Sequence, residues 1–329
     1  LNSMFTQDRI LNLIGIPHAA ILSVVFGLFL ASFPIGAHVV FSSDIGNTIN
    51  YNLPLTHLDL FEGTQVHRLP VDITLGDAFV IIWALYVILF AVATLGPYRR
   101  FDRTISDIMA TGRPNRSANY MLGIIMWFSI LVLASSIIIG IQNHFEIETR
   151  PPDVENDLVM FFYITLAPII EETGFRLLLV GIPVFLIYAG RFSPGYFLRC
   201  LWRPDTLGTT TQKRALVVIV LIGVLFGFSH IALGEPWSEG KFAQATASGI
   251  ILGWAYIRYG FVAAVMIHWA ANYFIFAYIH FISQTRMITV DEVTDHTMIF
   301  SIEIILVVCA VLSIATLVAG RMIRSTVTT

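Results

Sequence analysis

The stretch Ile169-Ile170-Glu171-Glu172-Thr173-Gly174-Phe175-Arg176 sets two adjacent carboxylates and an arginine inside an apolar run from Leu158 to about Ala189. Such a run reads as a membrane helix, since about 20 apolar residues cross a bilayer core of ~30 Å. A charged side chain at the bilayer centre costs roughly 2.5–3.5 kcal/mol on insertion scales, so ionisable groups kept there mark a functional site by default. Arg176 follows Glu172 by four residues, the spacing that puts an acid and a base on one helix face. Glu171 points about 100° away on a helix of 3.6 residues per turn, so the same arginine does not easily serve both. Glu172 is therefore expected to be neutralised locally and Glu171 to be the free carboxylate. A single helix of about 32 residues would run near 48 Å, longer than the core, so this span must tilt, break or protrude. Thr173-Gly174 and Gly181-Ile182-Pro183 are its weak points.

The rest of the chain follows the same logic. Of its 329 residues 56% are hydrophobic and 12% charged, against roughly 45–50% and 25% in soluble domains. The expected fold class is all-α, a polytopic membrane protein. Applying the length criterion gives eight transmembrane helices: His18 to Phe41, Gly76 to Leu95, Tyr120 to Ile141, the run from Leu158, Ala215 to Ile231, Phe242 to Ile257, Phe261 to Phe281 and Met298 to Gly320. The chain divides into residues 1–157 with three N-terminal helices, 158–281 carrying the intramembrane polar residues, and 282–329 with the last helix and a tail. The first apolar run is too long for a signal-peptide core and is read as a true span.

Loop charges set the orientation. Arg99, Arg100, Arg103, Arg113 and Arg116, then Arg191, Arg199, Arg203, Lys213 and Arg214, then Arg321 and Arg324, fall on one side and are cytoplasmic by the positive-inside rule. The alternate loops carry Asp44, Asp59 and Glu62, then Glu146, Glu148, Asp153, Glu155 and Asp157, then Glu235 and Glu239, then Asp291, Glu292 and Asp295. Both termini are expected in the cytoplasm, with the protein in a plasma membrane or endoplasmic reticulum. Membrane lipid is the expected surrounding. Nucleic acid is not an expected partner, because the net charge is -3 and the arginines sit in separate short loops. Cys200 and Cys309 have no CxxC spacing and give no disulfide framework.

Two further polar signals lie inside spans. Phe226 and His230 share a face of span five, and His268 and Asn272 share one of span seven. Counting ~1.5 Å per residue puts Glu171 and His268 each about 10 Å, and Asn272 about 16 Å, from the inner face, but His230 nearer 22 Å. Chemically, a carboxylate, two imidazoles and a carboxamide are the parts needed to hydrolyse an amide with an activated water. Glu171 would take the water's proton, His230 would hold and polarise that water, and His268 and Asn272 would stabilise the oxyanion.

Glu171-Glu172 followed by Arg176, Phe226 followed by His230, and His268 followed by Asn272 resemble, in order and spacing, the EExxxR, FxxxH and HxxxN motifs of the CAAX prenyl protease type 2 family and the wider CPBP intramembrane proteases. The resemblance covers about Leu158 to Phe281. It implies a helical intramembrane glutamate endopeptidase that removes the last three residues of a prenylated CAAX protein, with its site open to the cytosol. It assigns Glu171 as base, His230 as its water partner, and His268 with Asn272 as the oxyanion site. Glu172, Arg176 and Phe226 are supporting residues.

Three alternatives stand beside this reading. The first is a family member that cleaves non-prenylated membrane peptides, since the wider group is linked to other peptide substrates. The same polar residues could also serve a non-catalytic scaffold or a transporter. Finally, Glu171, His230 and His268 could supply three ligands to a zinc ion, although there is no HExxH helix and no metal is favoured.

Overall fold

The computed structural model describes residues 2–42, 51–55, 73–112, 119–150, 156–208, 213–232 and 237–327, with side chains described from Leu13 to Ala319 apart from Asp291. Of the charges used for orientation, Asp44, Asp59, Glu62, Arg113, Arg116, Asp153, Glu155 and Glu235 lie outside the described residues, as do the side chains of Asp291, Arg321 and Arg324.

Among the described residues the chain is all-α and polytopic, with no β-strand. Six helices are long and apolar enough to cross a membrane: Leu13–Phe41, Leu75–Leu95, Tyr120–His144, Lys213–Ala232, Phe261–Arg286 and Thr297–Ala319. We label the helices α1 (Asn2–Phe41), α2 (Leu75–Leu95), α3 (Phe101–Thr111), α4 (Tyr120–His144), α5 (Asp157–Glu171), α6 (Ile182–Tyr188), α7 (Pro194–Trp202), α8 (Lys213–Ala232), α9 (Lys241–Tyr259), α10 (Phe261–Trp269), α11 (Ile275–Arg286), α12 (Val290–Thr294) and α13 (Thr297–Val327).

The other two expected spans are helical but do not meet the same measure. Span six is α9, whose Lys241, Gln244, Thr246, Ser248 and Arg258 dilute its apolarity. Span four is a continuous helical run in which a π-helical segment, Glu172–Gly181, separates α5 from α6. The run changes character at the diacid and again at Gly181-Ile182-Pro183, near the two expected weak points. Two stretches read as basic loops instead contain short amphipathic helices. Phe101, Ile105 and Ile108 are the buried side of α3, and Cys200 and Leu201 that of α7.

Local chemistry starts and joins the helices. Thr74 and Asp77 form a capping box on α2, and the Asn156 side chain accepts from the Leu158 amide at 2.8 Å to begin α5. Asn119 caps α4 while its Nδ2 donates to the carbonyls of Thr94 and Arg99, tying α2, α3 and α4 together.

The span formed by α10 and α11 is the centre of the bundle. It is 78% buried over its most apolar window, against 28–39% for the other five spans, although its hydropathy of 1.6 is the lowest of the six. Lipid rewards apolarity on the outside of a bundle, whereas the centre is chosen by packing. Trp269 and Tyr273 stack at 5.5 Å, and Phe29 and Phe33 of α1 close on Trp269. Tyr273 and Tyr278 donate to the carbonyls of Ser32 and Leu28, fixing α1 against this span.

Helices α8 and α9 meet through glycine. Gly223 and Gly227 on one, and Gly249 and Gly253 on the other, are each four residues apart. A Cβ on Gly249 would come within 3.0 Å of the Gly223 Cα, and one on Gly227 within 2.0 Å of the Thr246 hydroxyl. This small-residue contact lets the two backbones approach closely, and it sets Phe226 and His230 on the same wall as the Gly249 carbonyl.

Candidate active site

The polar cluster is assembled from five elements, His230 coming from α8 and the others from two places where α-helix gives way to π-helix. Glu171 ends α5 and Glu172 opens the π-helical segment that carries Arg176; His268 is in α10, and Asn272 sits in a second π-turn, Ala270–Phe274. Such wide turns recur at functional sites because they redirect side chains that a regular helix would send elsewhere.

Glu172 and Arg176 behave as their spacing predicts. Arg176 Nη1 lies 2.9 Å from Glu172 Oε1, with the two side chains 1% and 0% exposed. The guanidinium also donates through Nη2 to the Gly249 carbonyl at 3.3 Å and lies over the Phe226 ring at 4.4 Å. Taking both charges out of water is costly, and the geometry offsets that cost by giving the arginine a carboxylate, a carbonyl and an aromatic face together.

Glu172 has a second partner that the spacing did not reveal. His268 Nδ1 donates to the same Oε1 at 2.8 Å. This fixes the imidazole so that Nε2 faces Glu171, whose Oε2 lies 3.8 Å away. A ring that uses its Nδ1 proton in this way accepts at Nε2 when neutral and donates there only when doubly protonated. Glu171 is partly exposed, at 28% of its side chain, and Glu171 Oε2 has no hydrogen-bond partner among the described residues. It is the free carboxylate of the pair.

His230 is oriented by its own helix: Nδ1 donates to the Phe226 carbonyl at 2.8 Å, which leaves Nε2 as the acceptor. The Phe226 ring lies between the histidines, 4.6 Å from the His230 ring and 6.0 Å from that of His268. The depth mismatch of His230 thus does not separate it from the cluster. That count assumed upright helices all starting on one plane, whereas contact across the bundle is set by where each helix starts and how it tilts.

Asn272 reaches the same space for a reason legible only in three dimensions. Pro168 has no amide proton, so the Ile164 carbonyl one turn earlier has no helical donor; Asn272 Nδ2 donates to that carbonyl at 3.4 Å. On the other side of α5, Tyr86 donates to the Thr165 carbonyl at 2.7 Å.

Glu171, Phe226, His230, His268 and Asn272 all line one cavity of about 750 Å³. Glu172 and Arg176 stand behind its wall. The cavity also brings in Lys241 and Trp237, which the motifs do not include; the Lys241 ammonium lies 3.9 Å from the Trp237 ring centre. Their sequence signal was a tryptophan between Glu235 and Glu239 and a lysine at the end of that loop. Among the described residues, no three His, Cys, Asp or Glu side chains converge closely enough to hold a metal ion.

Residues 155–274 match the model of the family described as Type II CAAX prenyl endopeptidase Rce1-like. The match covers 120 of the 329 residues and is a likeness of this segment. No curated protein and no solved structure gives a match. The matched segment contains all seven motif residues, and helices α1 to α4 and α11 to α13 lie outside it.

Proposed function

We propose that the protein is a glutamate-dependent intramembrane endopeptidase that hydrolyses a peptide bond near the C-terminus of a prenylated CAAX protein. One observation carries the mechanism: Glu172 holds His268 by Nδ1, while Glu171 reaches into the cavity opposite Nε2. Glu171 takes a proton from water as the water oxygen bonds to the scissile carbonyl carbon. His230, with Nδ1 committed to Phe226, accepts the water's other proton at Nε2 as a hydrogen bond and so orients the attack. The oxyanion is met by the second Asn272 N–H and by His268 when its ring carries both protons. The C–N bond then breaks, and the departing amine takes the proton held by Glu171, which restores the carboxylate. Directed hydrogen bonds of this kind are commonly the largest single contribution to amide hydrolysis. No metal enters any step.

The test is cleavage of a fluorogenic farnesylated CAAX peptide by detergent-purified protein, comparing wild type with Glu171→Ala, each with and without a chelator. Activity lost in the variant alone supports the mechanism, and chelator sensitivity restored by zinc overturns the metal-free part of it. A second reading, a family protease acting on non-prenylated membrane peptides, is favoured by the mixed lining of the cavity. Ser135, Asn143, Gln244 and Ser248 share it with Leu131 and Ile139, so the wall is not a purely apolar slot for an isoprenoid. Cleavage of an unprenylated membrane peptide, with the farnesylated one untouched, would select it.

A further inference from the structure

The cavity that holds Glu171 has one cation on its wall. Among the described residues lining it, Lys241 is the only lysine or arginine and Glu171 the only aspartate or glutamate. An ionisable side chain kept in such a place marks function by default. Glu171 has a role in the mechanism above, and Lys241 has none. Among the described residues no carboxylate pairs with the Lys241 ammonium, which is half-buried and lies 3.9 Å from the centre of the Trp237 ring. An aromatic face holds a cation in place and leaves the N–H donors of the ammonium for an oxygen acceptor.

Helices α8 and α9 set the distance between this cation and the diacid. The Trp237 amide donates to the His230 carbonyl at 2.9 Å, which ties the Trp237–Lys241 pair to the end of α8 that carries His230. Lys241 then opens α9, and Lys241, Gln244, Ser248 and Leu252 recur every three or four residues, so one face of α9 looks into the cavity. At the far end of that stretch the Gly249 carbonyl accepts from Arg176, the partner of Glu172. Lys241 and Gly249 are eight residues apart, about 12 Å along the axis at 1.5 Å per residue. The wall therefore runs from the support of the diacid, past Ser248 and Gln244, to a cation that lacks a carboxylate. An extended peptide advances 3.3–3.6 Å per residue, so three residues cover about 10 Å. Three residues separate the bond cut by a CAAX peptidase from the free C-terminus, and that end is a carboxylate.

We propose that Lys241 binds the C-terminal carboxylate of the substrate, and that its separation from the diacid fixes the cut three residues from the chain end. This rests on the reading of the cavity as a peptidase site, to which it adds a carboxylate subsite. The anion recognised belongs to the polypeptide end itself, so the subsite serves a prenylated chain without touching its lipid. Lys241 donates to a group remote from the bond that breaks and exchanges no proton in the reaction.

The experiment compares two farnesylated CAAX peptides that differ only in the last group, a free carboxylate in one and a carboxamide in the other, on the full chain in detergent. Wild type should cleave the acid with a kcat/KM about 10–100-fold above that of the amide, the range for one hydrogen bond to a charged group. Lys241→Met keeps the length of the side chain and removes its charge, and should bring the ratio to about one; Lys241→Arg should retain it. Equal cleavage of acid and amide by wild type overturns the proposal whatever the variants do, as does a ratio that survives in Lys241→Met. A free-acid peptide lengthened by two residues tests the spacing: cleavage at the original bond as fast as in the parent peptide would show that the chain end is not measured. Binding of the labelled acid and amide is read by fluorescence anisotropy on Glu171→Gln, with and without Lys241→Met, and the same ratio should appear in Kd. That readout needs no turnover. A wild type that cleaves neither peptide, while Glu171→Gln binds the acid in a Lys241-dependent way, refutes the peptidase reading alone; cleavage with no preference for the acid refutes the carboxylate subsite alone.

Discussion

Glu171 and Glu172 are neighbours in sequence and lie on opposite sides of one wall. Behind the wall, Glu172 is fully buried and shared by Arg176 and His268, with Phe226 and the Gly249 carbonyl completing the surroundings of the arginine. In front of it, Glu171, the Nε2 atoms of the two histidines and Asn272 form the face turned to the cavity. The rear half spends its hydrogen-bonding capacity on position; the front half keeps capacity in reserve. A buried ion pair is costly to form and more costly to break, which makes it a rigid support for a group that must remain free.

The comparison predicts different kinds of damage. Glu171→Gln keeps the shape but removes the base, and should lower kcat by up to about 10⁴-fold, the upper range for a positioned acid–base group, with the unfolding temperature in detergent unchanged. Glu172→Gln should instead cost about 3–5 kcal/mol of stability, because it strands a buried guanidinium. Pairing it with Arg176→Met should recover most of that loss in the same thermal unfolding assay without restoring activity, since His268 would still lack its carboxylate. If Glu172→Gln unfolds like wild type, the division between rear and front is wrong.

Smaller effects sharpen the boundary. Asn272→Ala should lower kcat by about 10²–10³-fold, the usual loss for one oxyanion donor, with KM little changed; a loss confined to stability would reduce Asn272 to the partner of the Ile164 carbonyl. Tyr86→Phe removes only the hydrogen bond to Thr165, and should cost about 1 kcal/mol in unfolding free energy with activity preserved.

Much of this was legible in the chain. An acid and a base four residues apart on a membrane helix can be paired on paper, and the Glu172–Arg176 contact follows. The π-helical segment was visible only as weak points at Thr173-Gly174 and Gly181-Pro183. Two features were hidden by the way sequence is read. The paired four-residue glycine spacings in α8 and α9 announce a close helix contact, but not which face of Arg176 or Phe226 it will support. Pro168 announces an orphaned carbonyl, but not that Asn272, 108 positions away, is its donor. Of the eight expected spans, two are not among the helices long and apolar enough to cross a membrane: the π-helical segment divides span four so that α5 has 15 residues, and the polar residues of α9 lower its apolarity.

The sequence by itself determined that the chain is helical and membrane-embedded, which ionisable residues lie inside apolar runs, and which loops carry the arginines. Those properties are summed residue by residue along the chain, from transfer free energies and loop charge. The tertiary structure alone decided that His268 is held by Glu172 rather than standing free. It also decided that, of the six apolar spans among the described residues, the least apolar is the most buried. These depend on how each helix is rotated about its axis and which neighbour it meets, and a side chain's partners across the bundle are set by packing, to which linear spacing carries no reference.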